Sequence, residues 1–139
     1  MKIFIAGSMH FAKEMLEAQK LLNGLGFESM IPADTHECVD RPELNMDAEH
    51  CFNTDIMRSC MEMQEKCNAI LVLNYPRDGI DGYIGASSLM ELYLAYYLKQ
   101  KIFLLHTPPP KDIARSSHEV MHMKPIILNG DISRIKEHV

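Results

Sequence analysis

The stretch Asn68 to Asn74, "NAILVLN", constrains this chain most: between its two asparagines every side chain is apolar. A strand with one wet face alternates apolar and polar residues, whereas an unbroken run suits a strand covered on both faces. "KIFIA" at the start and "KIFLL" at Lys101 read the same way, and "PIIL" near the end is a shorter example. Such strands belong to parallel sheets, whose crossover helices cover both faces.

The segments between them supply those helices. Phe11 to Leu25 has apolar residues at helical spacing, with Gly24 and Gly26 as the stop. Phe27 to Ile31 reads as a second strand ended by Pro32. Pro32 to Glu49 is polar, carries two prolines and shows no clean period, so a long loop is expected there. Phe52 to Lys66 has a helical period. A Gly-rich loop, Tyr75 to Ala86, leads to another helix, and further helices are expected over Asp112 to Met123 and Asp131 to Val139. The alternation predicts one α/β domain over residues 1–139. It is a flavodoxin-like, doubly wound, parallel five-stranded sheet of order 2-1-3-4-5. In that order ligands bind beyond the carboxyl ends of the first and third strands.

Composition narrows the partners. A chain of 139 residues with net charge −5 presents no broad basic field for a polynucleotide. The longest apolar run, Leu92 to Leu98, is far shorter than a membrane span, so no membrane partner is expected. The N-terminus reads as a strand rather than a signal peptide. Cys38, Cys51, Cys60 and Cys67 show no CxxC spacing and are expected to be reduced thiols in a cytoplasmic protein.

Within "YIGASSLMELYLAYYLK" Glu91 is the single charged side chain between Gly82 and Leu98. Two explanations fit. Ser88-x-x-Glu91 has the form of a capping box, which would bind both residues to the amides of a first helical turn. The same carboxylate, ionised and partly desolvated at the ligand edge, would also suit a nucleophile attacking an anomeric carbon.

"KIFIAGS", "TDIMRSCMEMQEKCNAILVLN" and "GYIGASSLMELYLAYYLKQKIFLL" together resemble the nucleoside 2-deoxyribosyltransferase family. They are similar as well to its relatives that hydrolyse 2'-deoxynucleoside 5'-monophosphates. The similarity runs from Lys2 to about Pro108 and implies cleavage of an N-glycosidic bond, with transfer to another base or to water. By resemblance Glu91 is the nucleophile that attacks C1'. Asp55 matches the acid that orients sugar and base and takes part in proton transfer. Gly7 and Ser8 match the pocket loop after the first strand. Attack and proton donation are two carboxyl roles, and Asp55 with Glu91 is the pair this sequence offers. Asp55 also suits a plain solvated helix start.

The chain departs from the family where an Asp about six residues before the Glu is replaced by Gly85. It departs again where an Asp before the third strand is replaced by Asn68, and where an Arg after the Gly-Ser is replaced by His10. Ser87, Ser88, His10 and Lys13 are candidates for a 5'-phosphate, and each is also an ordinary cap or surface residue. Asn74 and Tyr83 are expected near the ligand, Tyr83 with loop packing as its other reading. The resemblance implies no cofactor and a homodimer or higher homo-oligomer, in which a neighbour completes the pocket. Tyr93, Tyr96 and Tyr97 would suit such an interface or cover the sheet.

A non-catalytic nucleotide-binding domain of the same fold is the alternative. A zinc hydrolase stands further off. "HEVMH", His118 to His122, has the H-E-x-x-H form, but its helix is short and no third ligand stands at a usual spacing beyond His106 or His138. A surface helix without metal is expected there.

Overall fold

The computed structural model describes residues 1–139. Five strands form one parallel sheet: β1 (Lys2–Ala6), β2 (Glu28–Met30), β3 (Ala69–Val72), β4 (Lys101–Leu104) and β5 (Ile126–Ile127). Their order is β2-β1-β3-β4-β5, as the alternation predicts. Ile3 stands opposite Ser29 on one side and Ala69 on the other; Leu71 pairs with Phe103, and Phe103 with Ile126.

Alternate side chains of these strands feed two separate cores. Ile3, Ile5, Leu71 and Phe103 point to the face covered by α1 (Ala12–Gly24) and the C-terminal 3-10 helix (Ile132–His138), where Met15, Leu22 and Ile135 meet them. Phe4, Ile70, Val72 and Leu104 point to the opposite face. There they meet α4 (Ile56–Glu65), α5 (Ala86–Tyr97) and α6 (Ser117–His122) through Cys60, Leu92, Ala95 and Val120. Each fully buried aliphatic side chain contributes about 1.5–3 kcal/mol, so both layers of the unbroken apolar strands stabilise the fold.

Several expectations are corrected. The polar segment after β2 is helical rather than a loop. It holds α2 (Thr35–Asp40), a 3-10 helix (Pro42–Met46) and the start of α3 (Ala48–Thr54). Cys38 and Leu44 anchor it to the α1 core, and Asp47 caps α3 by accepting the His50 amide. The helix expected over Phe52 to Lys66 is two helices, because Asp55 takes a left-handed conformation (φ 43°) between α3 and α4. The helix expected from Asp112 begins only at Ser117, and the final helix is of 3-10 type. No helix is long and apolar enough to cross a membrane.

Candidate functional site

The carboxyl edge of the sheet gathers the loops after β1, β2, β3 and β4. The loop after β3 is tied to both neighbours. Arg77 Nη1 donates to Ser8 Oγ at 2.6 Å, which joins it to the β1 loop. Asn74 Nδ2 donates to the His106 carbonyl at 2.7 Å and to the Gly82 carbonyl at 3.2 Å, and Asn74 Oδ1 accepts the His106 amide at 2.9 Å. Phe11, Tyr75 and His106 form a chain of ring contacts across the same edge, with centroids 5.0 and 6.0 Å apart. Gly82 lies so close to β4's loop that a methyl group on it would sit 2.0 Å from the Thr107 carbonyl oxygen.

From this braced loop α5 starts at Gly85, which caps it through its carbonyl, accepting from the Leu89 amide at 3.0 Å. The capping box is absent. Ser88 is the third residue of the helix and is buried, and Glu91 lies beyond the first turn. Glu91 therefore needs another explanation. Its residue keeps a partly open surface, yet protein surrounds its carboxyl group, and burial pushes that group up to about 8. The expectation of a carboxylate ionised at neutral pH is corrected: burial favours the neutral form of Glu91 near pH 7. The position of the residue is fixed through its main chain, where Gln64 Nε2 of α4 donates to the Glu91 carbonyl at 2.8 Å. Gln100 donates in turn to the carbonyls of Gln64 and Cys67 at 2.7 and 3.0 Å.

On α4, one turn above Gln64, the Cys60 thiol is pushed up to about 12. Burial is the main cause, and the carboxylates of Glu91 and Asp34 add to it. Asp34 follows β2, is only 5% exposed, and its Oδ2 lies 2.9 Å from His50 Nε2. Its Oδ1 is buried without a hydrogen-bond partner. The nearby Cys38 thiol is pushed up to about 11, by burial first and by Asp34 second. Asp34 lies in the segment Pro32 to Glu49 expected as loop, and His50 lies just past it, before the helix expected from Phe52, so the sequence reading assigns neither a role. An Asp two residues past a strand-ending proline, at the ligand edge, was the available signal.

The other expected site residues fall into different settings. Gly7 sits against Leu73, where a methyl group would approach the Leu73 carbonyl oxygen to 3.3 Å. Ser8 accepts the His10 amide as well as Arg77. His10 and Ser87 are exposed, His10 with its ring edge-on to Phe11. Tyr83 is half-buried beside Gly85. Asn74 is 1% exposed and spends its amide on the two loops, so it braces the edge from beneath rather than facing a ligand. Asp55 points to solvent, its side chain 63% exposed and its Oδ2 3.2 Å from Arg58 Nε, and no contact brings it to Glu91.

His118 and His122 project from the exposed side of the six-residue α6, and no three potential metal ligands converge there or elsewhere. Two grooves flank this helix. One, of about 340 Å³, runs along Thr107 to Lys111, Ser117, His118 and Met121. The other lies between α5 and α6 at Leu89, Tyr93, Ser116, Glu119 and Met123. Neither is lined by Glu91, whose chemistry marks the site better than the grooves do: its carboxyl group is desolvated near the ligand edge and raised well above the ordinary glutamate range. No protein-family model matches the chain, and no curated protein matches it.

Proposed function

We propose that this protein cleaves the N-glycosidic bond of 2'-deoxynucleosides or their 5'-monophosphates through Glu91, passing the deoxyribosyl group to water or to a second base. The observation that carries this reading is the state of Glu91: a carboxyl group raised to about 8 by burial, beside the ligand edge of a doubly wound sheet. A capping role does not account for it, since α5 begins at Gly85. Structural carboxylates are normally paired or solvated, whereas desolvated ones at a cleft edge are characteristic of catalytic groups.

In the proposed reaction ionised Glu91 bonds to C1' as the C1'–N bond breaks and its electrons pass to the base. Water or an acceptor base then attacks C1' and releases Glu91. The main-chain bond from Gln64 fixes the backbone that carries Glu91. Asp55, at the head of α4, is assigned to orienting sugar and base. Ser87 and His10 are exposed donors suited to a 5'-phosphate. We further propose that a second copy of the chain covers the outer face of α4 and α5. Met57 and Met61 lie one turn apart there, and Met90, Tyr93 and Tyr97 form an exposed stripe.

Incubation with a panel of deoxynucleosides and their monophosphates, with chromatography of the free base, tests the reading. Wild type is expected to release base from at least one compound, and Glu91→Ala to release none while keeping a cooperative melt. A binder without catalysis would show a ligand-dependent rise in melting temperature and no free base, and that result overturns the enzymatic reading. The binding alternative draws on the same residue, because a neutral Glu91 can donate a hydrogen bond to a ligand.

A further inference from the structure

Most lysines and arginines of this chain are exposed; Lys2, Arg77 and Arg134 are half-buried. Lys2 pairs with Glu28 at 3.8 Å and Arg134 with Glu137 at 3.6 Å. Arg77 has no carboxylate within ion-pair reach, although Asp78 and Asp81 stand in the same loop. Its side chain makes one hydrogen bond, from Nη1 to Ser8 Oγ at 2.6 Å. A guanidinium carries a fork of N–H donors, so most of them remain unspent. A half-buried cation without a counter-charge is costly, and a bound anion offsets that cost.

Ser8 adds a second donor. Its Oγ accepts the His10 amide at 3.2 Å as well as Arg77, so both lone pairs of the hydroxyl are taken and its proton is left to donate. The backbone holds both residues in advance. Arg77 and Ile80 exchange main-chain bonds of 3.1 and 2.9 Å across Asp78 and Gly79. Those two residues have φ of 53° and 75°, the left-handed pair of a tight hairpin turn. Tyr75, just before this turn, leans on Phe11 with ring centroids 5.0 Å apart. Ala6 of β1 stands opposite Val72 of β3, so adjacent strands deliver Ser8 and Arg77 to the same stretch of the carboxyl edge.

We propose that Arg77 and the Ser8 hydroxyl bind the phosphate of a nucleoside 5'-monophosphate, so that the monophosphate rather than the free nucleoside is the substrate class. This rests on the reading given for Glu91. Arg77 offers parallel N–H bonds to two phosphate oxygens, and Ser8 offers an O–H from another direction. A tetrahedral dianion accepts from both. The role is one of binding and selection, and no proton moves and no covalent bond changes at this pair. Arg77 belongs to the loop that runs on to Gly85 and into α5, so the anion would be held at the entrance to the helix that carries Glu91.

The test separates the anion site from the chemistry. Wild type and Arg77→Gln are titrated calorimetrically with inorganic phosphate, with the common 2'-deoxynucleosides and with their 5'-monophosphates. Glutamine keeps a donor for Ser8, so a loss reports the guanidinium charge. Wild type is expected to bind phosphate and to prefer monophosphates to nucleosides, and Arg77→Gln to weaken both monophosphate and phosphate binding by about 10-fold or more. In base-release assays the loss should fall on KM rather than kcat, and inorganic phosphate should compete with the monophosphate. Equal affinity of wild type and Arg77→Gln for phosphate and monophosphates overturns the site. So does Arg77-dependent phosphate binding that fails to compete with the monophosphate. Arg77-dependent binding with no base released from any compound overturns the reading of Glu91 and leaves the anion site standing; base release indifferent to Arg77 does the reverse. Should Arg77→Gln fail to melt cooperatively, Arg77→Lys replaces it. That variant keeps the charge without the fork, and a few-fold loss supports the site while none overturns it.

Discussion

Glu91 holds its proton far above the range of an ordinary glutamate, and two measurable consequences follow at the scale of this one residue. Its folded-state pKa is raised from 4.5 to about 8, so its stabilising contribution is complete below about 4.5 and is lost as the pH climbs through 8. Glu91→Gln cannot ionise and escapes that loss. Urea unfolding across pH 5 to 9 is expected to show a falling wild-type stability and a flatter variant. The variant should lead by about 2–4 kcal/mol at the alkaline end. Parallel curves would show that the carboxyl group is solvated. The catalytic counterpart runs the opposite way: base release should increase with pH through about 8, because only ionised Glu91 attacks. The sequence announced this residue by its isolation but pointed to the wrong bland explanation. Ser-x-x-Glu is present as letters, yet the helix starts two residues before Ser88, with Gly85 as its cap, which a pattern of side chains does not reveal.

At the scale of elements, strands were readable and the joints between helices were not. Unbroken apolar runs announce β1, β3 and β4 because both faces of each strand are covered. The break at Asp55 is a single left-handed residue inside a continuous helical period, and periodicity is blind to one backbone angle. Thr35 to Met46 was unreadable for a different reason. Its helices are too short to repeat a period, and tertiary anchors such as Cys38 and Leu44 hold them in place. The β3–α5 loop shows how tight such joints can be. Gly82→Ala would force a methyl group onto the Thr107 carbonyl at a positive φ, so a loss of at least ~2 kcal/mol is expected in denaturant unfolding. Base release should fall as well, because Asn74 ties Gly82 to His106 beneath the site. An unchanged midpoint would mean that this loop yields freely.

At the scale of the whole molecule the second copy proposed above would sit on the outer face of α4 and α5, where Met57, Met61, Met90, Tyr93 and Tyr97 are exposed. Sedimentation is expected to give roughly twice the mass of one chain, and a Tyr93→Lys, Tyr97→Lys double variant to give a single chain. A stable pairing needs about 1,000 Å² of buried surface or more, and these side chains stand at its expected centre. A monomeric wild type at high concentration would remove the second copy from the proposed site.

The placement of β1 between β2 and β3 has a consequence for how the chain comes into being. The first strand is made before its partner on one side, Ala69 to Val72, which follows more than sixty residues later. Until then Ile3, Phe4 and Ile5 lack half of their eventual cover. The nascent protein must therefore keep this apolar strand from sticking to other chains while it waits. Strand closure over so long a span is also slow, so assembly is gated by the arrival of the middle of the sequence rather than by its beginning.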